Sequence, residues 1–318
     1  VKITEGCSNH CSFCAIPVIR GELRSRPVKD IIEEIKHLVS DGFFEINLIG
    51  QDLAAFGTGE TDKFITQSDE KHSMLYVLLN EISKLKGKFW VRLLYIHPDH
   101  FNSDIIECIK KDRRILAYFD IPFQSGDTEI IRLMNRTGTK EHYTSLVKNI
   151  RNELPDSAIR TTFMTGFPGE TDSAFENTKD FLQAIKPDWS GCFAYSREED
   201  TPAYNFKNRV PQKTAKSRAK ILESLQEKLT LENLQKRINK NYDVLIEEII
   251  EGNDDFGFAI ARAWFQAPDV DGAFVVRYEK DDKVAVDAVK PGRLVYVLAD
   301  RVSGVDIDSH FVRDSELN

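Results

Sequence analysis

Residues 1–14 read VKITEGCSNHCSFC: a short strand-like run, Val1–Thr4, feeds a loop that carries Cys7, Cys11 and Cys14. The spacing is C-x3-C-x2-C, and the next cysteine is Cys108. Three closely spaced thiolates suit an iron–sulfur cluster, for which Cys is the usual ligand. A cubane held by three thiolates leaves one iron open to an outside ligand, much as catalytic zinc sites keep an open position. Structural zinc wants four protein ligands. The nearest candidate for the fourth, His10, lies between Cys7 and Cys11, from where closing a tetrahedron is awkward. Five cysteines, sparse and odd in number, argue against a disulfide framework. Cys108 in SDIIECIKKD and Cys192 in WSGCFAY read as small buried apolar residues.

Outward from the loop, strand-like and helix-like patterns alternate. Ile31, Ile32, Ile35, Leu38 and Val39 follow helical spacing and predict a helix over 28–41. FFEINLIG (43–50) is a buried strand. Leu75, Leu78, Leu79, Ile82 and Leu85 mark the next helix, and FWVRLLYI (89–96) the next strand. The cycle continues with helix 103–111, strand 116–121, helices 127–135 and 140–153, strand 158–164, helix 171–185 and strand 189–195. About six strands result. The class is α/β with a mainly parallel sheet, an incomplete relative of the eight-stranded barrel. In such sheets the working loops follow the C-terminal ends of the strands. The cysteine loop, Gln51-Asp52, His97-Pro98, Gln124 and Gly166–Gly169 each follow a successive strand, so they converge on one mouth.

Residues 1–235 form this first domain, with a long charged helical connector over about 212–239. From 240 to 318 the pattern changes to short alternating strands with turns at Glu251-Gly252-Asn253, Val270-Asp271-Gly272, Lys280-Asp281-Asp282 and Lys290-Pro291-Gly292, which reads as a small all-β barrel. Charge divides the same way. Residues 239–318 hold 9 Lys and Arg against 17 Asp and Glu, whereas 1–238 hold 34 of each. The net charge of −8 therefore lies on the small barrel. A barrel that grips RNA should show Lys and Arg to phosphates, whereas an acidic one complements a basic protein. The longest apolar runs are strand-sized, far below a membrane span. No signal peptide is visible and the first residue is Val.

C-x3-C-x2-C with Phe13 before the last cysteine resembles the signature of radical S-adenosylmethionine (SAM) enzymes. VKITEGCSNHCSFCAIPVIRGELRSRP (1–27), LIGQD (48–52), HPD (97–99), YFDIPFQSG (118–126), LMNRTGT (133–139), TGFPGET (165–171) and YSREEDTPAYN (195–205) are together similar to the radical SAM methylthiotransferase family, over nearly the whole chain. Tyr118–Pro122 and ARAWFQAPDVDG (261–272) resemble the RimO branch, which acts on an aspartate of small-subunit ribosomal protein twelve. Gln124-Ser125-Gly126 is closer to the MiaB branch, which acts on a tRNA adenosine.

The resemblance implies a partial (β/α)6 TIM-like barrel followed by a TRAM barrel. It implies a 4Fe–4S cluster on Cys7, Cys11 and Cys14 with SAM on the open iron. An electron from the reduced cluster would cleave SAM to a 5′-deoxyadenosyl radical, and the overall reaction would methylthiolate the aspartate β-carbon. Candidate SAM contacts are Phe13 on the adenine, Gln51, Gln124, Arg160 on the SAM carboxylate, and Gly166 and Phe167 in a loop whose glycines admit a ligand. The plainer alternatives are a core aromatic for Phe13, an ion pair for Arg160 and a strand-to-helix turn, with Glu170 and Thr171 opening the helix, for TGFPGET. His97 and Asp99 read either as an acid–base pair or as a satisfied histidine before a proline-fixed turn; Asp120 and Gln124 as groups positioning the substrate or sulfur. No catalytic residue is singled out. Expected partners are a basic ribosomal protein, SAM and a flavodoxin-type electron donor, with tRNA only under the MiaB alternative and no membrane. A reducing cytoplasm suits free thiols and an oxygen-sensitive cluster. Relatives carry a preceding domain with a second cluster, to which nothing here corresponds. The chain is therefore expected to cleave SAM without inserting sulfur efficiently. The alternative from another class is a non-catalytic module with a structural metal.

Overall fold

The computed structural model describes residues 1–64, 71–252 and 254–317. Its first half runs β1 (Thr4–Glu5), α1 (Ile16–Arg20), β2 (Arg24–Ser25), α2 (Val28–Ser40), β3 (Glu45–Leu48), α3 (Met74–Ser83), β4 (Trp90–Leu93), α4 (Asp104–Lys111), β5 (Ile115–Asp120), α5 (Thr128–Leu133), α6 (Lys140–Glu153), β6 (Ala158–Thr165), α7 (Asp172–Ile185) and β7 (Trp189–Ala194). Strands β3 to β7 form a parallel sheet in sequence order. The expected sixth strand is only partly realised. Val1–Ile3 runs beside β3 through one parallel bridge, Lys2 to Ile49. The chain then turns so that β1 pairs antiparallel with β2, which was not foreseen.

Alternation along each strand decides what the two sheet faces hold. Ile46, Leu48, Val91, Leu93, Ile115, Phe119, Ile159, Phe163 and Cys192 share one core with Ile31, Leu78, Ile106, Val147, Phe181 and Leu222 of the helices. The intervening residues Trp90, Leu116, Tyr118, Ala158 and Trp189 belong to a second core, shared with the C-terminal domain. The helices thus cover one face. The other face is the inner side of the partial barrel, and it packs against the C-terminal domain.

Helix α8 (Gln212–Gln235) leads into β8 (Asn241–Ile250), β9 (Phe256–Ala263), β10 (Phe274–Glu279), α9 (Lys283–Ala288), β11 (Leu294–Ser303) and β12 (Asp306–Asp314). The five strands close into a barrel in the order β10-β12-β11-β8-β9. The barrel is not wholly β. Asp282, expected only in a turn, accepts the N–H groups of Val284 and Ala285 and so caps α9. Of the expected turns, Asn253 lies outside the described residues.

The small barrel sits on this inner face. Arg92, fully buried, donates to Glu45 (2.7 Å) and to the carbonyl of Trp264 (2.8 Å). Arg262 reaches Glu45 (3.0 Å) and Glu247 (2.6 Å), and Trp189 Nε1 donates to the Phe265 carbonyl (3.0 Å). The run 264–271 therefore plugs the floor below the strands' C-terminal ends. No helix among the described residues is long and apolar enough to cross a membrane.

Candidate iron–sulfur and cofactor site

The cysteine loop spans β1 to α1 and is strapped down by its neighbours. Gly6 adopts φ 72° with the Glu22 carbonyl packed where a Cβ would stand, so only glycine fits. The Cys7 N–H donates to Gly21 O (3.1 Å), and Leu23 N–H to Ser8 Oγ (3.1 Å). Ser12 is held by the Leu133 and Met134 carbonyls, and Asn135 donates to the His10 carbonyl (2.7 Å). Asn9 ties the loop to Asp52, at the end of β3 (3.0 Å).

Within this loop Cys7 and Cys11 are buried and Cys14 is half-buried. The three thiols lie close enough to act on one another electrostatically. Burial pushes the Cys7 thiol up to about 11 and raises that of Cys14. A metal centre that takes thiolates must displace those protons. A structural zinc would need a fourth protein ligand beside the three thiolates. His10 is exposed and joins no ligand group with them. Three soft thiolate donors suit an iron–sulfur cluster.

The mouth beside the loop is polar at selected points. Gln124, in the left-handed region (φ 70°), is 3% exposed, and its Oε1 has no hydrogen-bond partner. A buried acceptor left open next to a thiolate loop is a place for a ligand's donor. Tyr95 also takes a positive φ (76°). Its side chain is exposed to solvent, yet Arg136, Asp120, Cys14 and Cys11 surround it and burial pushes its hydroxyl up to about 12. Gln51 is half-buried just beyond β3. Phe13, half-buried, packs edge-on against Phe167 (6.4 Å), and Phe167 against Tyr195 (5.3 Å).

Several expectations change here. The Arg160 guanidinium does not stand open to an external carboxylate. Its Nη1 donates to Asp271 Oδ1 (2.6 Å), and its Nε lies 3.9 Å from Asp120; Asp271 comes from the plug and also accepts Tyr118 Oη (2.7 Å). Phe167 is fully buried and backs Phe13. At Gly166 (φ 75°) a Cβ would overlap Ala215 of α8. That glycine serves helix packing, while Glu170, paired to Arg218 (2.6 Å), receives its N–H. Thr171 caps α7 as expected. Asp99 accepts from Thr137, Gly138 and Tyr143, so it braces two loops and is no free acid. The MiaB-like Ser125-Gly126 has a packing cause: Gly126 lies against Phe181 and Asn177, and Ser125 and Gly126 both bond Thr178.

The radical SAM superfamily model matches residues 1–182 and a TRAM domain model residues 238–312. Ribosomal protein uS12 methylthiotransferase RimO of Treponema denticola is 50% identical over 97% of this chain and 68% of its own length. The chain belongs to the RimO family of radical SAM methylthiotransferases. The RimO protein of Thermosipho africanus is 40% identical over 87% of the chain and 61% of its own length, so the chain spans roughly two thirds of these relatives. Coproporphyrinogen III oxidase HemN from Escherichia coli, a radical SAM enzyme, shares the fold at TM-score 0.50 and 16% identity over 72% of this chain and 51% of that one. Membership of this superfamily entails a 4Fe–4S cluster and SAM as cofactors. The relatives do not favour the tRNA alternative or the non-catalytic module.

Reading the sequence missed Arg136 and the pairings around Asp52, because these join distant segments. Arg136 is buried, donates to the Pro122 carbonyl (2.5 Å), sits 5.9 Å from the Phe13 ring and keeps an unpaired Nε. Asp52 accepts from Asn9, Ala54, His97 and His100. Burial alone would raise its carboxyl, but His100 and His97 hold it low. Asp52, His97 and His100 offer ligand atoms within 4.8 Å of one another, but Asp52 and His100 pair with each other and the His97 ring faces the Asp99 N–H and Cys11 Sγ. Asp120, at the end of β5, is pushed by burial up to about 6 despite Arg160.

Proposed function

We propose that this chain is the SAM-cleaving and substrate-presenting part of an enzyme that methylthiolates the β-carbon of an aspartate in ribosomal protein uS12. The observation that carries it is the 50% identity to a RimO protein across 97% of the chain, with the three cysteines at the barrel mouth. Residues 1–235 form the SAM domain and 240–318 the domain that meets the substrate. Cys7, Cys11 and Cys14 hold the cluster, which when bound and reduced supplies the electron that breaks the SAM sulfonium bond.

The protein's own residues do the rest. Phe13 and Gln51 pack and orient SAM, and the open Oε1 of Gln124 accepts from its amino group. Arg136 brings positive charge beside the thiolate loop. The plug at 264–271 covers the floor and limits water there. That protects a reactive primary radical from side reactions. The acidic small barrel attracts a basic protein surface through charge complementarity. The electron donor is a flavodoxin-type protein, and the setting is the reducing cytoplasm.

Two measurements test this. Anaerobically reconstituted chain, given dithionite and SAM, should release 5′-deoxyadenosine; a chain that loads iron and releases none refutes the SAM role. Binding to uS12 should exceed binding to a tRNA anticodon stem-loop at physiological salt, and weaken when Asp254 and Asp255 are neutralised. Preference for the RNA would restore the tRNA reading.

A further inference from the structure

Each of the three cysteine sulfurs has one N–H beside it, but the three donors differ in kind. Cys7 Sγ accepts from the backbone N–H of Asn9 (3.4 Å), and Cys14 from the backbone of Ile16. Any sequence that folds this loop supplies those two. The partner of Cys11 is a side chain from 86 residues away: His97 Nε2, 3.8 Å from Cys11 Sγ.

The hydrogen bonds of His97 settle which nitrogen bears its proton. Nδ1 accepts the N–H of Asp99 (3.3 Å), so in the neutral ring the proton sits on Nε2, facing the sulfur. The ring has little freedom to turn away. The His97 N–H is anchored on Asp52 Oδ1 (3.1 Å), the residue is 7% exposed, and Pro98 follows it.

We propose that His97 is a positioning and tuning residue: its Nε2–H donates to the Cys11 sulfur and raises the reduction potential of the cluster held by Cys7, Cys11 and Cys14. The proposal rests on the ligand assignment made under Proposed function. Reduction adds negative charge that spreads onto the sulfurs, and a donor at a ligand sulfur stabilises that state more than the oxidised one. Hydrogen bonds to sulfur and the partners of ligands are established levers on potential. Of the three donors this one alone is a side chain, so it is the one that substitution can remove while the loop backbone stays intact.

The test compares the wild-type chain with His97→Phe, His97→Met and His97→Gln after anaerobic reconstitution. Iron content and circular dichroism come first, then the midpoint potential by titration followed with electron paramagnetic resonance. The donor-less Phe and Met variants should load iron and shift to lower potential. The Gln variant, whose amide can donate, should stay near wild type. A fully loaded donor-less variant at wild-type potential, or a Gln variant that falls with the others, overturns the proposal. A wild-type chain that takes up no four-iron cluster overturns the ligand assignment and the proposal together, so the two failures are distinguishable. Should the donor-less variants fail to load, 15N-histidine in a His10→Gln chain carries the test. A weak nitrogen coupling to the reduced cluster supports the bond, and its absence overturns it.

Discussion

Truncating Asp271 to alanine should loosen the small barrel from the inner face. Its side chain is fully buried. One oxygen takes Arg160 Nη1 at 2.6 Å, and the other takes Tyr118 Oη at 2.7 Å and the Ala267 N–H at 2.8 Å. Removal leaves Arg160 with Asp120 at 3.9 Å and the Val270 carbonyl at 3.4 Å, and leaves a hydroxyl and an amide without their acceptor. Breaking a buried ion pair from one side costs about 3–5 kcal/mol, and each neutral donor left unmet about 1–3 kcal/mol. Water entering the gap and a shift of Arg160 toward Asp120 offset part of this. A net loss of about 3–5 kcal/mol corresponds to roughly 10²–10⁴-fold more of the undocked or unfolded state. Urea unfolding by circular dichroism, with hydrogen exchange over 264–271, reads both stability and docking. Asp287→Ala is the control, because its pair with Lys290 is exposed and worth under about 1 kcal/mol. Midpoints and exchange in Asp271→Ala that match this control would refute the view that the plug is held by charge.

Further predictions concern pH, packing and metal loading. The Asp120 carboxyl, raised to about 6 by burial, stabilises the fold when protonated. That contribution is complete below the unfolded value of about 3.9 and is lost as pH rises through 6, in all roughly 3 kcal/mol. Stability of the wild type relative to Asp120→Asn should therefore fall between about pH 4 and 6.5; a constant gap would show that Arg160 already neutralises Asp120. Gly166→Ala should cost roughly 2–4 kcal/mol, because its φ of 75° and its contact with Ala215 both exclude a side chain, while the folded fraction keeps its SAM affinity. Unchanged stability with lost SAM binding would return Gly166 to the ligand site. Because burial keeps Cys7 and Cys14 protonated, cluster loading should release protons and quicken from pH 7 to 9. Cys11→Ala should lower both iron uptake and proton release, and pH-independent loading would count against the thiol assignment.

How much of this was legible follows from what each feature depends on. The cysteine spacing is local, so Cys7, Cys11 and Cys14 stood out without any structure. Period-2 and period-3.6 patterns marked the strands and helices well, since alternate strand residues serve opposite sides: Phe119 faces the helices while Tyr118 faces the small barrel. Strand β4 ends earlier than its apolar run, because Tyr95 takes a left-handed turn that no residue type announces. The short antiparallel pair β1–β2 was invisible for a related reason: two-residue strands carry no period.

By itself, then, the sequence determined the α/β class, the thiolate loop and the family, because these rest on spacing along the chain. Only the tertiary structure decided which polar residues face one another across it. It turned Arg160 from a candidate clamp into the partner of Asp271, 111 residues away. It gave Gly166 to Ala215 and brought His97 to Cys11. Such pairings arise where separate segments must satisfy each other's buried charge and hydrogen bonds, and a buried polar group's partner is set by folding, which sequence distance does not reveal.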